Sequence, residues 1–258
     1  MADIRIDGVT HRYGDRVALH ELTLDLRPGV TALVGVNGAG KSTLLSILAT
    51  LVRPTAGVVS FGGQAWPGAG HRADARIRRD LGLCPQAASV PGSITVSEFL
   101  SYAARLRGVA RSRVTAAVTA ALETVELTDR RGARCRTLSG GMRKRLLIAQ
   151  AIVHDPALLL LDEPMESLDP EQRVRVRASV SALGHEERCV VVSSHVLADV
   201  LPIADRVVMI DGGSLLFDGT PAALEARGRA SLGQGTGLSA YEAAFLSLRE
   251  EGAARDRH

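Results

Sequence analysis

The chain has 258 residues, 46% hydrophobic and only 3% aromatic. That suffices for one α/β domain with an insert, or two small domains, with a core of Leu, Val, Ile and Ala, and it excludes disorder by composition. The formal charge of +3, from 31 Lys+Arg against 28 Asp+Glu, lacks the concentrated stripe of a nucleic-acid reader.

Along the chain, Asp3 to Val9 alternates polar and apolar residues and predicts an edge-type strand. Residues 1–7 hold no apolar run, so no signal peptide is expected there. Leu22, Leu24 and Leu26 repeat the alternation before Pro28-Gly29. Thr31–Val34 is a short apolar run that opens into glycines. A helix is then predicted from Lys41 to about Leu51, with Leu44, Leu45, Ile47, Leu48 and Leu51 on its apolar side, and a strand follows around Val58-Val59. Residues 62–72, rich in Gly, Ala and Pro, read as a loop, residues 72–80 as a polar helix, and Leu81–Cys84 as a strand ending at Pro85-Gln86.

From Thr95 to about Val153 strand runs vanish and Ala-rich helical patterns take over, which predicts a helical subdomain inserted into an α/β core. Strands resume at Leu158–Leu161, Cys189–Val192 and Val207–Ile210, and the alternation with helices implies a largely parallel, buried sheet. Beyond Gly228 the pattern weakens, although Tyr241, Phe245 and Leu248 fall on one face of a short helix. No apolar stretch reaches the ~20 residues that span a bilayer. The chain is expected to be soluble and cytoplasmic, with any membrane role supplied by a partner. Cys84, Cys135 and Cys189 form no C-x-x-C pair, which suits a reducing compartment rather than a disulfide or zinc framework.

Only two lysines occur, Lys41 and Lys144; every other basic side chain is Arg. The clusters Arg105, Arg107, Arg111, Arg113 and Arg130, Arg131, Arg134, Arg136 read as solvated faces, or as a surface near anionic headgroups. Lys41 stands in Gly35-Val36-Asn37-Gly38-Ala39-Gly40-Lys41-Ser42-Thr43, which fits G-x-x-x-x-G-K-[ST] between a strand and a helix. Such glycines let backbone N–H groups turn around phosphate oxygens, and the helix start adds the positive end of its dipole. Lys41 would reach the β- and γ-phosphates and Ser42 would ligate Mg²⁺. A GTPase would need an Asn-Lys-x-Asp motif, which neither lysine supplies.

Downstream, Leu158–Leu161 ends in Asp162-Glu163. At a strand tip beside a phosphate loop, Asp162 would hold Mg²⁺ and Glu163 would polarise the attacking water. Leu138-Ser139-Gly140-Gly141-Met142 precedes another helix, which Ser139 can cap. Arg143, Lys144 and Arg145 oppose the dipole in its first turn, so a negative partner is expected: local acids, or preferably a nucleotide phosphate.

Taken together, the phosphate loop, Gln86 after a strand, Ser139-Gly140-Gly141, Asp162-Glu163, Leu168-Asp169 and His195 resemble, in order and spacing, the ATP-binding subunits of ABC transporters, from Tyr13 to about Pro221. The resemblance implies a P-loop NTPase core with a mainly parallel sheet, an antiparallel N-terminal β region and an inserted helical subdomain. A RecA-like core would cover 1–86 and 154–222, the helical subdomain 87–153, and a short tail 223–258. Two copies would pair head to tail, so that Ser139, Gly140 and Gly141 grip the γ-phosphate of ATP held by the opposite chain and Asp169 acts across the interface. Gln86 would sense Mg²⁺ and the water, His195 would contact the γ-phosphate, and Tyr13 would stack on adenine.

The implied cofactors are ATP and Mg²⁺. The implied partners are a membrane permease and a second ATPase subunit, with no nucleic acid, and the implied location is the inner face of the cell membrane. Ser139-Gly140-Gly141-Met142 resembles the exporter branch that handles drugs, antibiotics and polysaccharides, and the Asp169–Arg173 and Tyr241–Leu248 segments fit it too. Met142 replaces the usual Gln. Pro164-Met165-Glu166-Ser167-Leu168-Asp169 replaces Pro-Thr-x-Gly-Leu-Asp, which adds a carboxylate, Glu166, near the metal site. The rival readings are an ABC ATPase that moves no solute and a module that closes on ATP without hydrolysis; Glu163 and His195 argue against the second.

Overall fold

The computed structural model describes residues 4–66, 71–184, 187–231 and 238–255. The chain opens with an antiparallel hairpin, β1 (Ile4–Tyr13) and β2 (Arg16–Leu26), in which Ile4 faces Leu26 and Tyr13 faces Arg16. β3 (Gly29–Val34) enters a second sheet and runs into α1 (Lys41–Leu48). β4 (Ala56–Phe61) and β5 (Gln64–Trp66) return to the first sheet, α2 (His71–Arg79) follows, and β6 (Leu81–Cys84) rejoins the second. Then come α3 (Val96–Leu106), α4 (Val114–Thr124) and α5 (Gly140–Ile152). The chain continues through β7 (Leu158–Leu161), α6 (Pro170–Leu183), β8 (Cys189–Ser194) and α7 (Leu197–Val200). It ends with β9 (Arg206–Asp211), β10 (Ser214–Gly219), α8 (Pro221–Ser231) and α9 (Ala240–Arg255).

The first sheet has the order β2-β1-β4-β5 and the second β10-β9-β3-β8-β7-β6. Strands β9, β3, β8, β7 and β6 are parallel, and β10 closes one edge antiparallel. The side-chain period of two divides each central strand between two cores. Val30, Ala32, Val34, Leu159, Leu161, Val190, Val192, Val207 and Met209 face the helical side. Leu33, Leu158, Leu160, Val191, Val208 and Ile210 face α1 and the antiparallel sheet. Both faces are covered, which is why these strands read as unbroken apolar runs. Truncating one of them, as in Leu159→Ala, would cost about 2–5 kcal/mol.

The helices start where side chains satisfy their first N–H groups. Thr95 and Glu98 form a reciprocal capping box on α3, Glu98 N donating to Thr95 Oγ1 and Thr95 N to Glu98 Oε2. The Thr95 N–H and then the Thr95 hydroxyl, both donating to the Glu98 carboxylate, hold it below its ordinary range. α5 packs directly on β6 because Gly82 carries no side chain: a Cβ there would stand 2.2 Å from the Ala151 carbonyl oxygen.

Four expectations change. The stretch 62–72 is not all loop, because Gly62 and Gly63, at φ +54° and +80°, turn a tight hairpin that pairs Trp66 with Val59 and buries the indole; positions 67–70 lie outside the described residues. α1 stops at Leu48, since Thr50 adopts φ +58°, and Leu51 is left 69% exposed rather than on the apolar side. A strand the sequence reading lacked, β10, forms across the Gly212-Gly213 turn. Past Gly228 the chain folds back onto the core: Ala244 and Leu248 join Leu224 there, with Tyr241 and Phe245 partly buried beside them. Ion pairs Arg249–Asp211 (2.6 Å) and Arg227–Glu251 (2.5 Å) fasten α9 down.

Candidate functional site

Strand order assembles the site. The carboxyl ends of β3, β8, β7 and β6 lie side by side, with Val34 opposite Ser194, Val192 opposite Leu161, and Leu161 opposite Cys84. Whatever follows those strands must therefore meet at one edge, where parallel α/β sheets bind ligands. Gly35, Asp162-Glu163, His195 and Gln86 each follow one of them.

The loop after β3 is built around close approaches. A Cβ on Gly35 would stand 2.3 Å from the Ile210 carbonyl oxygen, and Gly40 takes φ +106° with the Ala18 carbonyl beneath it. The loop is tied by Ala39 N to Val36 O (3.1 Å) and by Gly213 N to Ala39 O (3.0 Å). No side chain caps α1, which leaves its first N–H groups to an anion. Lys41 is buried, its Nζ donating to the carbonyls of Gly35 (2.7 Å) and Val36 (3.2 Å).

Glu163 sits at φ +46°, a strained conformation for a residue with a side chain, and is buried. One carboxylate oxygen lies 3.5 Å from Lys41 Nζ and the other 3.0 Å from His195 Nδ1. Beneath it, Ser193 Oγ donates to Asp162 Oδ1 at 2.6 Å and accepts from Glu163 N at 2.8 Å. Asp162 N in turn donates to Cys84 O. Gln86 Nε2 donates to Glu166 Oε2 at 2.8 Å.

Lys41, Glu163, Gln86 and Glu166 open, with Tyr13, Arg16, Ala18, Asn37, Gly38, Ala39, Gly40, Ser42 and Thr43, on a cleft of about 350 Å³; Gly35, Asp162 and His195 stand outside its lining. Tyr13, 52% exposed, comes from the antiparallel sheet, its ring braced edge-on by His11 at 4.5 Å. A larger cleft of about 810 Å³ holds none of the candidate nucleotide or metal residues, although Arg107 and Arg113 of the first arginine cluster line it.

Ser139, Gly140, Gly141 and Asp169 do not line the cleft that Lys41 and Glu163 share. Ser139 caps α5 through Met142 N, and Asp169 caps α6 through Gln172 N. The two helix starts touch where the Gln172 side chain covers Gly141. Of the cations in the first turn of α5, Arg145 is buried, donating to the Val125 and Glu126 carbonyls and standing 3.9 Å from the Glu126 carboxylate, a local acid as expected, and Lys144 Nζ donates to Gln86 O at 3.2 Å.

Sequence reasoning overlooked Arg16 and Ser193. Ser193 stands between the strand Val190–Val192 and His195 in the sequence, but only the register, with Val192 opposite Leu161, sets it level with Asp162. Arg16 had none beyond standing opposite Tyr13 in the first hairpin.

The family described as "ABC transporter" matches residues 19–166. The chain is 35% identical over 229 residues to the "Daunorubicin resistance ATP-binding protein DrrA3" of Streptomyces coeruleorubidus, covering 88% of this chain and 71% of that one. It is 32% identical over 219 residues to the "Nod factor export ATP-binding protein I" of Ralstonia nicotianae, covering 84% and 67%. In fold it is similar to a solved ATP-binding subunit of an ABC transporter, with a TM-score of 0.79, 23% identity, and 95% and 99% of the two chains covered. It is also similar to a bacterial Atm1-family ABC exporter with ATP bound, with a TM-score of 0.74, 26% identity, and 88% of this chain and 40% of that one covered. A phosphate loop, a strand-end acid pair and a helical insert on a parallel sheet, together with these likenesses, lead to one conclusion: the chain belongs to the ABC transporter family, as one of its ATP-binding, ATP-hydrolysing subunits.

Proposed function

We propose that Mg²⁺ and ATP occupy the cleft at the sheet edge and that hydrolysis there powers export of an amphiphilic, drug-like compound by a separate membrane permease. The observation that carries the hydrolytic reading is the meeting of Lys41 Nζ and His195 Nδ1 on the two oxygens of Glu163. A carboxylate oriented from both sides can align a water and accept its proton. Lys41, the loop amides of Gly35 to Thr43 and the open start of α1 would bind the phosphates; Tyr13 would stack on adenine. His195 would reach the γ-phosphate from beside Glu163. Ser42, Asp162 and Gln86 offer hydroxyl, carboxylate and amide oxygens, the hard donor set that suits Mg²⁺. The metal would neutralise charge on the phosphates.

Ser139, Gly140, Gly141 and Asp169 stand outside their own cleft. This supports a head-to-tail pair, most simply two copies of this chain, in which each signature closes on the partner's ATP. Residues 87–153 would act as the helical subdomain that follows Gln86, with 1–86 and 154–222 as the core. Export is supported by the relatives, whose names refer to Nod factor export and daunorubicin resistance. Among the described residues no helix is long and apolar enough to cross a membrane. In this reading the chain works from the cytoplasmic face of the membrane, held there by the permease.

The test is detergent extraction of the tagged chain from native membranes, identification of what co-purifies, and assay of phosphate release. A multi-span membrane protein in fixed ratio with ATP-dependent phosphate release is the expected result. Soluble or nucleic-acid partners alone would overturn the transport reading and leave the ATPase standing.

A further inference from the structure

We infer that Glu166 sets the orientation of the Gln86 side-chain amide, and so decides which end of that amide faces the nucleotide; the inference rests on the proposed place of Gln86 at the metal. Gln86 leaves the carboxyl end of β6, and its Nε2 donates to Glu166 Oε2 at 2.8 Å. An ionised carboxylate only accepts hydrogen bonds, whereas a primary amide has two donors at one end and an acceptor at the other. A carboxylate partner therefore admits one amide orientation: Nε2 toward Glu166 and Oε1 away from it. Oε1 is the end that can ligate a hard cation or accept from water.

The main chain of the same residue is held independently. Lys144 Nζ, from α5 in the helical insert, donates to the Gln86 carbonyl at 3.2 Å. Gln86 is thus held at its backbone by the insert and at its side chain by the segment after β7. The turn that delivers Glu166 is tight: Glu166 N donates to Glu163 O at 3.2 Å, between left-handed Glu163 (φ +46°) and Ser167 (φ +59°). It aims the extra carboxylate across the end of the sheet into the cleft that Lys41 and Ser42 also line. Glu166 is a positioning residue: it acts through Gln86 and needs no contact with nucleotide.

The test is a double-mutant cycle on the full chain, with Mn²⁺ as the probe and its affinity read by electron paramagnetic resonance beside a non-hydrolysable ATP analogue. Glu166→Ala frees the amide to rotate and should weaken Mn²⁺ by about three- to tenfold, the range set by one lost orienting hydrogen bond. The isosteric Glu166→Gln accepts either amide orientation and should cost only about twofold. Gln86→Ala should weaken Mn²⁺ as well, and adding Glu166→Ala to it should weaken it no further. A Glu166→Ala effect that persists undiminished without the Gln86 amide would overturn the inference, because Glu166 would then act as a direct charge. So would unchanged Mn²⁺ affinity in Glu166→Ala while Gln86→Ala weakens it. If Gln86→Ala leaves Mn²⁺ binding intact, the proposed place of Gln86 at the metal fails, and the inference with it.

Discussion

Lys41 Nζ lies 3.5 Å from a carboxylate oxygen of Glu163, with both side chains more than nine-tenths buried, and His195 Nδ1 meets the other oxygen at 3.0 Å. The phosphate loop and the acid pair, more than a hundred residues apart in the chain, are thereby one electrostatic unit. Glu163→Gln keeps the shape of the side chain but removes its charge and its basicity. Steady-state phosphate release should fall by about 10²-fold or more, the scale of a lost general base, while ATP affinity stays within about threefold. Turnover near that of the unaltered chain would remove Glu163 from the proposed role.

Ser193 is fully buried between the two acids, donating to Asp162 and accepting from the Glu163 amide. Ser193→Ala leaves that amide unpaired in the interior and takes a donor from the Asp162 carboxylate. Urea unfolding should show a loss of about 1–3 kcal/mol. Phosphate release should fall as well, since the strained Glu163 backbone loses its anchor. An unchanged unfolding midpoint would mean that the contact carries no net energy.

Tyr13 is half exposed and braced by His11, so its ring can leave without disturbing a core. Tyr13→Ala should weaken ATP binding by about 1–3 kcal/mol, the worth of one base–aromatic stack, and leave the melting temperature where it is. Tyr13→Phe should restore affinity. Equal ATP affinity in all three proteins, by equilibrium titration, would rule out stacking.

Ser167 holds φ +59°, a conformation that suits glycine, and its side chain is exposed. Ser167→Gly relieves that strain at the expense of a more flexible unfolded chain, for a net gain of about 0.5–1 kcal/mol. Thermal unfolding should shift upward by about 1–4 °C. A downward shift would show that Ser167 makes a contribution the backbone angle does not reveal.

Burial pushes the Cys84 thiol up to about 11, against a partial opposing pull from Lys144, and pushes Cys189 up to about 12. Both stay protonated at neutral pH, so iodoacetamide at pH 8 should label neither in the folded chain. In the unfolded chain these thiols titrate near 9.0. The folded state therefore binds more protons between the two values. Their contribution to stability is whole below pH 9 and is lost as pH rises toward about 11 for Cys84 and about 12 for Cys189. Denaturant midpoints measured from pH 8 to 11 should fall over that window. Rapid native-state labelling at pH 8 would contradict the burial of both.

The amino-acid sequence alone determined the elements whose chemistry is local. The glycines, Lys41 and Ser42 lie within a few residues of one strand–helix junction, and Asp162-Glu163 directly follows an apolar strand, so spacing was enough to name them. Buried strands were legible because an apolar run covered on both faces looks alike in any parallel sheet. Less was legible where backbone conformation carried the meaning: the Gly62-Gly63 turn looked like loop, the Gly212-Gly213 turn went unread, and both proved to be hairpins.

Only the tertiary structure decided which partners meet. Ser193 with Asp162, Lys144 with the Gln86 carbonyl and Glu166 with the Gln86 amide are separated by 31, 58 and 80 positions in the chain. No periodicity links such pairs; the order β3-β8-β7-β6 does, by setting strand ends from distant segments a few ångströms apart. Residue types declare what chemistry a group can perform, but sheet order and register decide what it performs it on.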